Sequence, residues 1–148
     1  MSQSSMPRTR TPVQTVTMAI ALVFLLVGIL GFIPGITTDF DTMTFAGHHS
    51  DAMLLGVFGV SVLHNIVHLL FGVVGLVMAR TAGGSVAFLL VGGAIYLVLW
   101  IYGLLVDLDS TANFVPFNEA DNWLHLILGV AMVGLGLVFS RGTRGVTT

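Results

Sequence analysis

All seven carboxylates of this chain (Asp39, Asp41, Asp51, Asp107, Asp109, Glu119, Asp121) lie in or beside two stretches that separate long apolar segments. All five arginines (Arg8, Arg10, Arg80, Arg141, Arg144) lie at the opposite ends of the same segments. In membrane proteins cytoplasmic loops keep Lys and Arg while translocated loops lose them. The pattern therefore predicts a chain that threads a bilayer, with its N-terminus, the turn at Arg80 and its C-terminus on the cytoplasmic side. The two acidic loops, 34–51 and 107–121, are then expected outside.

Composition excludes the ordinary soluble classes. With 55% hydrophobic residues, 8% charged residues and a mean hydropathy of +0.99, the chain cannot present a normal soluble surface. Its 148 residues leave room for about four helices of roughly 20 residues and little else, which predicts one transmembrane domain, 1–148, and a multi-pass plasma-membrane location. There is no cysteine, so disulfides, thiolate metal sites and thiol redox chemistry are excluded and His, Asp, Glu and Asn are left as ligands.

Four apolar stretches, 13–33, 52–78, 85–106 and 122–140, are each near or above the length that crosses the hydrocarbon core. They predict an all-α integral membrane four-helix bundle. The first follows Arg8 and Arg10 as a signal peptide would, but its apolar run is too long and no small-residue cleavage site follows, so it reads as an uncleaved anchor. The expected punctuation is Pro34-Gly35 after helix 1, Ser50 or Asp51 capping helix 2, Gly83-Gly84 as the inner turn, and Asp121 or Asn122 capping helix 4. Trp100, Tyr102 and Trp123 fall toward the outer ends, where an interfacial aromatic belt sits.

Helical phase assigns the inward faces. At about 100° per residue, helix 2 gathers Ser61, His64, Asn65, His68, Gly72 and Gly75 on one stripe. Helix 4 gathers Asn122, His125, Gly129, Gly136 and Ser140, helix 3 gathers Ser85, Gly92, Tyr96, Trp100, Gly103 and Asp107, and helix 1 gathers Thr17, Ala21, Phe24, Gly28 and Gly31. Small and polar residues on common faces are how membrane helices approach closely, so the 18 glycines read first as packing residues.

A partial internal repeat runs through these stripes. Asn65-Ile-Val-His68-Leu-Leu-Phe-Gly72-Val73 and Asn122-Trp-Leu-His125-Leu-Ile-Leu-Gly129-Val130 share one pattern, Asn-x-x-His-Leu-x-x-Gly-Val. Helices 1 and 3 share Phe24-Leu-Leu-Val-Gly28 and Phe88-Leu-Leu-Val-Gly92. Together these predict a parallel two-plus-two repeat in which His68 and His125 are mates. Counting inward from Arg80 and Arg141 places His64 and His125 at one level and His68 one turn, about 6 Å, deeper.

The expected result is a polar cluster of His64, Asn65, His68, Tyr96, Asn122 and His125, and three readings compete for it. The first is structural: neutral side chains hydrogen-bonded across helices, at about 1 kcal/mol each. In the second, His68 and His125 ligate haem b, or His64, His68 and His125 hold one divalent metal ion. The third is a proton or ion path, which the absence of a carboxylate in the inner half weakens. In the loops, His48 and His49 beside carboxylates are a weaker metal candidate and a pH-sensitive lid candidate, set against a plain solvated acidic face. Asp51 and Asp121 are expected to cap helices, and Asp107, at a helix C-terminal end, points to a specific partner. Phosphate loops, nucleophile elbows and His-Glu-x-x-His helices are missing, and no basic patch suits nucleic acid.

The runs Phe32-Ile-Pro-Gly-Ile-Thr-Thr-Asp39, Thr44-Phe-Ala-Gly-His-His49, Leu54-Leu-Gly-Val-Phe58, Leu63-His-Asn-Ile-Val-His68, Asn113-Phe-Val-Pro116 and Ala120-Asp-Asn-Trp-Leu-His125 carry a resemblance. The chain resembles the small actinobacterial membrane proteins grouped as domain of unknown function 4383. That resemblance implies a four-span plasma-membrane protein of high-GC Gram-positive bacteria and implies no activity, substrate or cofactor. The combined expectation is a non-enzymatic accessory or scaffold bundle whose partners are the lipid bilayer and a second copy or another membrane protein. The alternative is a haem- or metal-binding membrane protein using His68 and His125.

Overall fold

The computed structural model describes residues 9–144, with side chains described as far as Arg141, so Arg8 and the side chain of Arg144 lie outside the described residues. Four helices dominate: α1 (Pro12–Leu30), α2 (Val62–Met78), α3 (Ala82–Leu105) and α4 (Glu119–Arg144). Three of them are long and apolar enough to cross a bilayer, α1 with 19 residues, α3 with 24 and α4 with 23 as far as Arg141. α2 is shorter, at 17 residues or about 26 Å.

The apolar stretch 52–78 is therefore not one helix, as its hydropathy predicts. Its first part forms β2 (Met53–Leu54) and β3 (Phe58–Gly59), which pair antiparallel with each other and, through β2, with β1 (Thr37–Thr38). Ala52, Leu54 and Val60 are buried in a small cluster with Val27, Leu30 and Ile36, so the apolar residues of this segment cover the end of α1. The cap of α2 is Ser61, whose Oγ accepts from His64 N at 3.2 Å. Ser50 does not cap it: its hydroxyl donates to the Val60 carbonyl at 2.5 Å, and Asp51 is exposed ten residues before the cap. The first amides of α2 are taken up by the loop, Val62 N donating to Thr44 O at 3.1 Å and Leu63 N to Phe45 O at 2.8 Å.

Two other turns differ from the sequence reading. Gly83 and Gly84 lie within the first turn of α3, and the connection from α2 is Ala79 to Thr81, with Thr81 Oγ1 accepting from Gly84 N at 3.0 Å. α4 starts at Glu119 behind Asn118. Asn118 Oδ1 accepts from Asp121 N at 2.9 Å, while Asp121 Oδ2 accepts from Asn118 N at 3.2 Å, a reciprocal box of the kind that satisfies orphan amides. Asp121 Oδ2 also accepts from Gly59 N at 3.0 Å, which fastens β3 to the start of α4. Asp107 holds a local turn, its Oδ1 accepting from Asp109 N at 3.0 Å.

α1 packs chiefly on α2 and α3 on α4, and the two hairpins meet mainly through α1, α2 and α3. Polarity is inverted relative to a water-soluble bundle. Thr17, Ser61, His64, Asn65, His68, Ser85, Asn122 and His125 are buried, whereas Leu22, Leu26, Leu70, Val91, Val98, Leu104, Ile127 and Val138 are among the exposed side chains. The stripes read from helical phase are the buried faces, apart from Trp100 and Ser140, which are half-buried, and Asp107, which is exposed beyond α3.

Candidate functional site

Four helices supply the buried layer. α2 brings His64, Asn65 and His68, α3 brings Tyr96, α4 brings Asn122 and His125, and α1 adds Phe24, which the polar criterion missed. His68 Nδ1 lies 3.0 Å from the His64 carbonyl, which can only accept, so Nδ1 carries the proton and Nε2 is left as an acceptor. Tyr96 Oη stands 3.5 Å from that Nε2. His64 Nδ1 faces Asn65 Oδ1 at 3.4 Å, and Asn65 Nδ2 points to Met43 Sδ at 3.9 Å.

Tyr96 is the hub. Its ring stacks on Phe24 (centroids 5.5 Å apart, planes at 25°) and meets Phe71 at 5.8 Å and His125 at 5.2 Å. His125 in turn packs on Phe117 from the second loop, at 4.9 Å. Asn122 Nδ2 donates to the Gly103 carbonyl at 3.1 Å. Among the described buried side-chain atoms, Asn122 Oδ1 and His125 Nδ1 have no hydrogen-bond partner.

These contacts fall into layers that repeat between the two hairpins. Asn65 of α2 fills the space beside Gly31 at the end of α1, and Asn122 of α4 fills the space beside Gly103 near the end of α3. His68 meets Phe24 (5.8 Å, 54°) as His125 meets Tyr96 (5.2 Å, 62°). A Cβ on Gly72 would touch Leu25 at 2.6 Å, and one on Gly129 would touch Leu97 at 2.7 Å. The α2 and α4 members of these pairs are the residues of the shared Asn-x-x-His-Leu-x-x-Gly-Val pattern. The α1 and α3 members (Leu25 with Leu97, Phe24 with Tyr96, Gly31 with Gly103) are not those of the shared Phe-Leu-Leu-Val-Gly block, which pairs Phe24 with Phe88 and is displaced by about two turns. The shared Phe-Leu-Leu-Val-Gly block therefore does not mark the residues that make corresponding contacts. Tyr96 contacts both His68 and His125, so the contacts group His125 with His68, whereas counting from the arginines groups it with His64.

A family model described as Domain of unknown function (DUF4383) matches residues 14–138. The chain belongs to the DUF4383 family. That match covers both hairpins, both loops and every residue of the buried layer. No curated protein and no solved structure matches this DUF4383 chain.

The DUF4383 layer does not fit haem. A flat slot between helices beside Gly72, Gly75 and Gly129 would be needed, and those places are filled by Leu25, by Ala21 with Phe88, and by Leu97. Tyr96 stands between His68 and His125, where the porphyrin would lie. For a metal ion, His68 presents one nitrogen to a carbonyl and the other to a hydroxyl, and no three His, Asp or Glu side chains among the described residues are grouped to hold an ion. Below the layer the interior closes on Phe71 and Phe88, whose rings are 5.1 Å apart.

In the loops, the rings of His48 and His49 meet at a tilt of 41° with centroids 3.9 Å apart. His48 lines a groove of about 500 Å³ with Asp39, Asp51, Asp109 and Glu119, so the structure brings the two acidic loops together. Their joint is made by Gly47 N donating to Phe114 O at 2.6 Å and Asn118 Nδ2 donating to Val57 O at 2.9 Å. Tyr102 donates to the Ala112 carbonyl and packs on Phe114 and Phe117, so it holds the second loop in addition to any interfacial role. Asn113, buried, bonds Leu108 O at 2.9 Å and both backbone groups of Phe117 at 3.1 Å. Asn113 was legible only as part of the family motif, since an asparagine in a turn-rich loop carries no signal of burial.

Proposed function

We propose that this is a multi-pass plasma-membrane protein of high-GC Gram-positive, actinobacterial type, with four spans and both termini cytoplasmic, acting as a non-enzymatic accessory bundle. The observation that carries the reading is the inverted polarity: histidines and asparagines inside, leucines and valines outside. Charge gives the direction, with arginines at one end and every carboxylate at the other. α2 is short for a span, and the buried segment beside Ala52 and Val60 makes up the difference, since irregular backbone is tolerated at membrane depth where protein covers it. The layer around Tyr96 serves to lock two hairpins in one register, and the lipid-facing surface is left for a second copy or another membrane protein.

Because the chain has no cysteine, single-cysteine labelling reads its topology directly. Thr42→Cys and Ala112→Cys, both at exposed loop positions, are expected to react with an impermeant maleimide on intact cells. Gly83→Cys, in open space beside the other turn, is expected to react only after permeabilisation. Labelling of Gly83→Cys on intact cells, or protection of the loop positions, would refute the orientation.

A further inference from the structure

The end of the bundle opposite the acidic loops carries a groove of about 680 Å³ between the start of α1 and the α2–α3 turn. We propose that this groove binds the phosphate-bearing headgroup of an anionic membrane lipid. Arg10 enters it from the N-terminal side and Arg80 from the turn, two cations from separate segments converging on one concavity. Neither pairs with a described residue, and every carboxylate of the chain lies at the far end or in the loops there, so the charge at this end calls for an external anion. Arg fits this task because its planar fork meets phosphate oxygens bidentately.

The walls are fixed before any ligand arrives. Gln14 Nε2 donates to the Ala79 carbonyl at 3.1 Å, bridging α1 to the turn, and Gln14 Oε1 accepts from Thr11 N at 3.0 Å. α1 and α3 begin at this groove and α2 ends there, so the helix-end charges partly offset one another and the two arginines set the sign of the field. The floor is apolar, with Met18 and Leu76 leading toward the lipid-facing surface. A cationic rim over an apolar floor matches a phospholipid better than a free phosphate, which has nothing to place against Met18 and Leu76. The groove at the other end, lined by four carboxylates, would repel the same ligand.

The proposal rests on the membrane reading, and its test separates the two. The detergent-purified full-length protein is examined by native mass spectrometry with added phosphatidylglycerol or phosphatidylcholine, beside the Arg10→Gln/Arg80→Gln double variant and Arg141→Gln, whose side chain does not line the groove. Each arginine near an anionic headgroup contributes enough that the double variant is expected to bind phosphatidylglycerol about thirtyfold more weakly. Arg141→Gln is expected to bind as the parent does, and phosphatidylcholine to be retained weakly by all three. Equal retention of both lipids by the parent, or full retention of phosphatidylglycerol by the double variant, would overturn the site. Thermal stabilisation by inorganic phosphate equal to that by phosphatidylglycerol would assign the groove to a soluble phosphate compound and overturn the lipid assignment. Recovery of the protein in the soluble cell fraction without detergent would overturn the membrane reading itself.

Discussion

Gly93→Leu is expected to disrupt the second hairpin, costing about 3 kcal/mol or more, the upper end of what overpacking exacts. At Gly93 α3 and α4 approach backbone to backbone: a Cβ there would lie 2.8 Å from Val133 N and 3.0 Å from the Gly129 carbonyl oxygen. Backbone cannot rotate away as a side-chain tip can, so even Gly93→Ala must push the helices apart and weaken the close packing that holds membrane helices together. Spreading α3 from α4 would also draw Tyr96 off His125. The control is Gly134→Leu, an exposed position of α4 with nothing within 4 Å of a built Cβ, expected within about 0.5 kcal/mol of the parent. Thermal melting in detergent compares the two. Equal melting temperatures would mean that the α3–α4 contact is not as close as described.

Tyr96→Ala is expected to be comparably damaging, about 3–5 kcal/mol, because it empties the centre of the layer and leaves a cavity between the hairpins. The ring touches Phe24 from α1, Phe71 from α2 and His125 from α4, so one truncation removes contacts to all three other helices. Tyr96→Phe separates ring from hydroxyl. It keeps every ring contact and loses only the 3.5 Å approach to His68 Nε2, so its expected cost is about 0.6 kcal/mol, the average for a polar contact between membrane helices. A Tyr96→Phe variant as unstable as Tyr96→Ala would show that the hydroxyl, and with it the histidine network, carries the layer.

What the sequence made legible follows from period and from charge. The inward stripe of α2 stands in the structure as read, because every strongly polar residue of that helix lies on one face and 100° arithmetic is insensitive to where the helix begins. The start of α2 was not legible in the same way. Hydropathy cannot distinguish an apolar hairpin covering the end of a bundle from an apolar helix crossing it, so it extends the span over 52–61. The Asn-x-x-His-Leu-x-x-Gly-Val repeat was visible because the same side chains recur. Its counterpart on α1 and α3 was hidden, because Phe24 stands where α3 has Tyr96 and the residues that are shared, Leu25 with Leu97 and Gly31 with Gly103, are too common and too widely spaced to form a motif. Helical phase places Tyr96 in the polar cluster, but its position as the hub depends on aromatic neighbours, Phe24 and Phe71, that polarity does not mark.

If the buried histidines are packing residues, His125→Phe is the substitution that shows it. His125 keeps its ring against Tyr96 and Phe117 while its Nδ1 has no partner, and a buried polar atom left unpaired costs about 1–3 kcal/mol. Phenylalanine keeps the ring contacts and removes the unpaired atom, and the slightly larger ring returns less than about 1.5 kcal/mol of that gain. The measurement is the melting temperature of detergent-purified His125→Phe beside the parent. A variant that melts higher is the expected result. A variant that melts lower would mean that the imidazole holds something a benzene ring cannot, and would contradict the packing role.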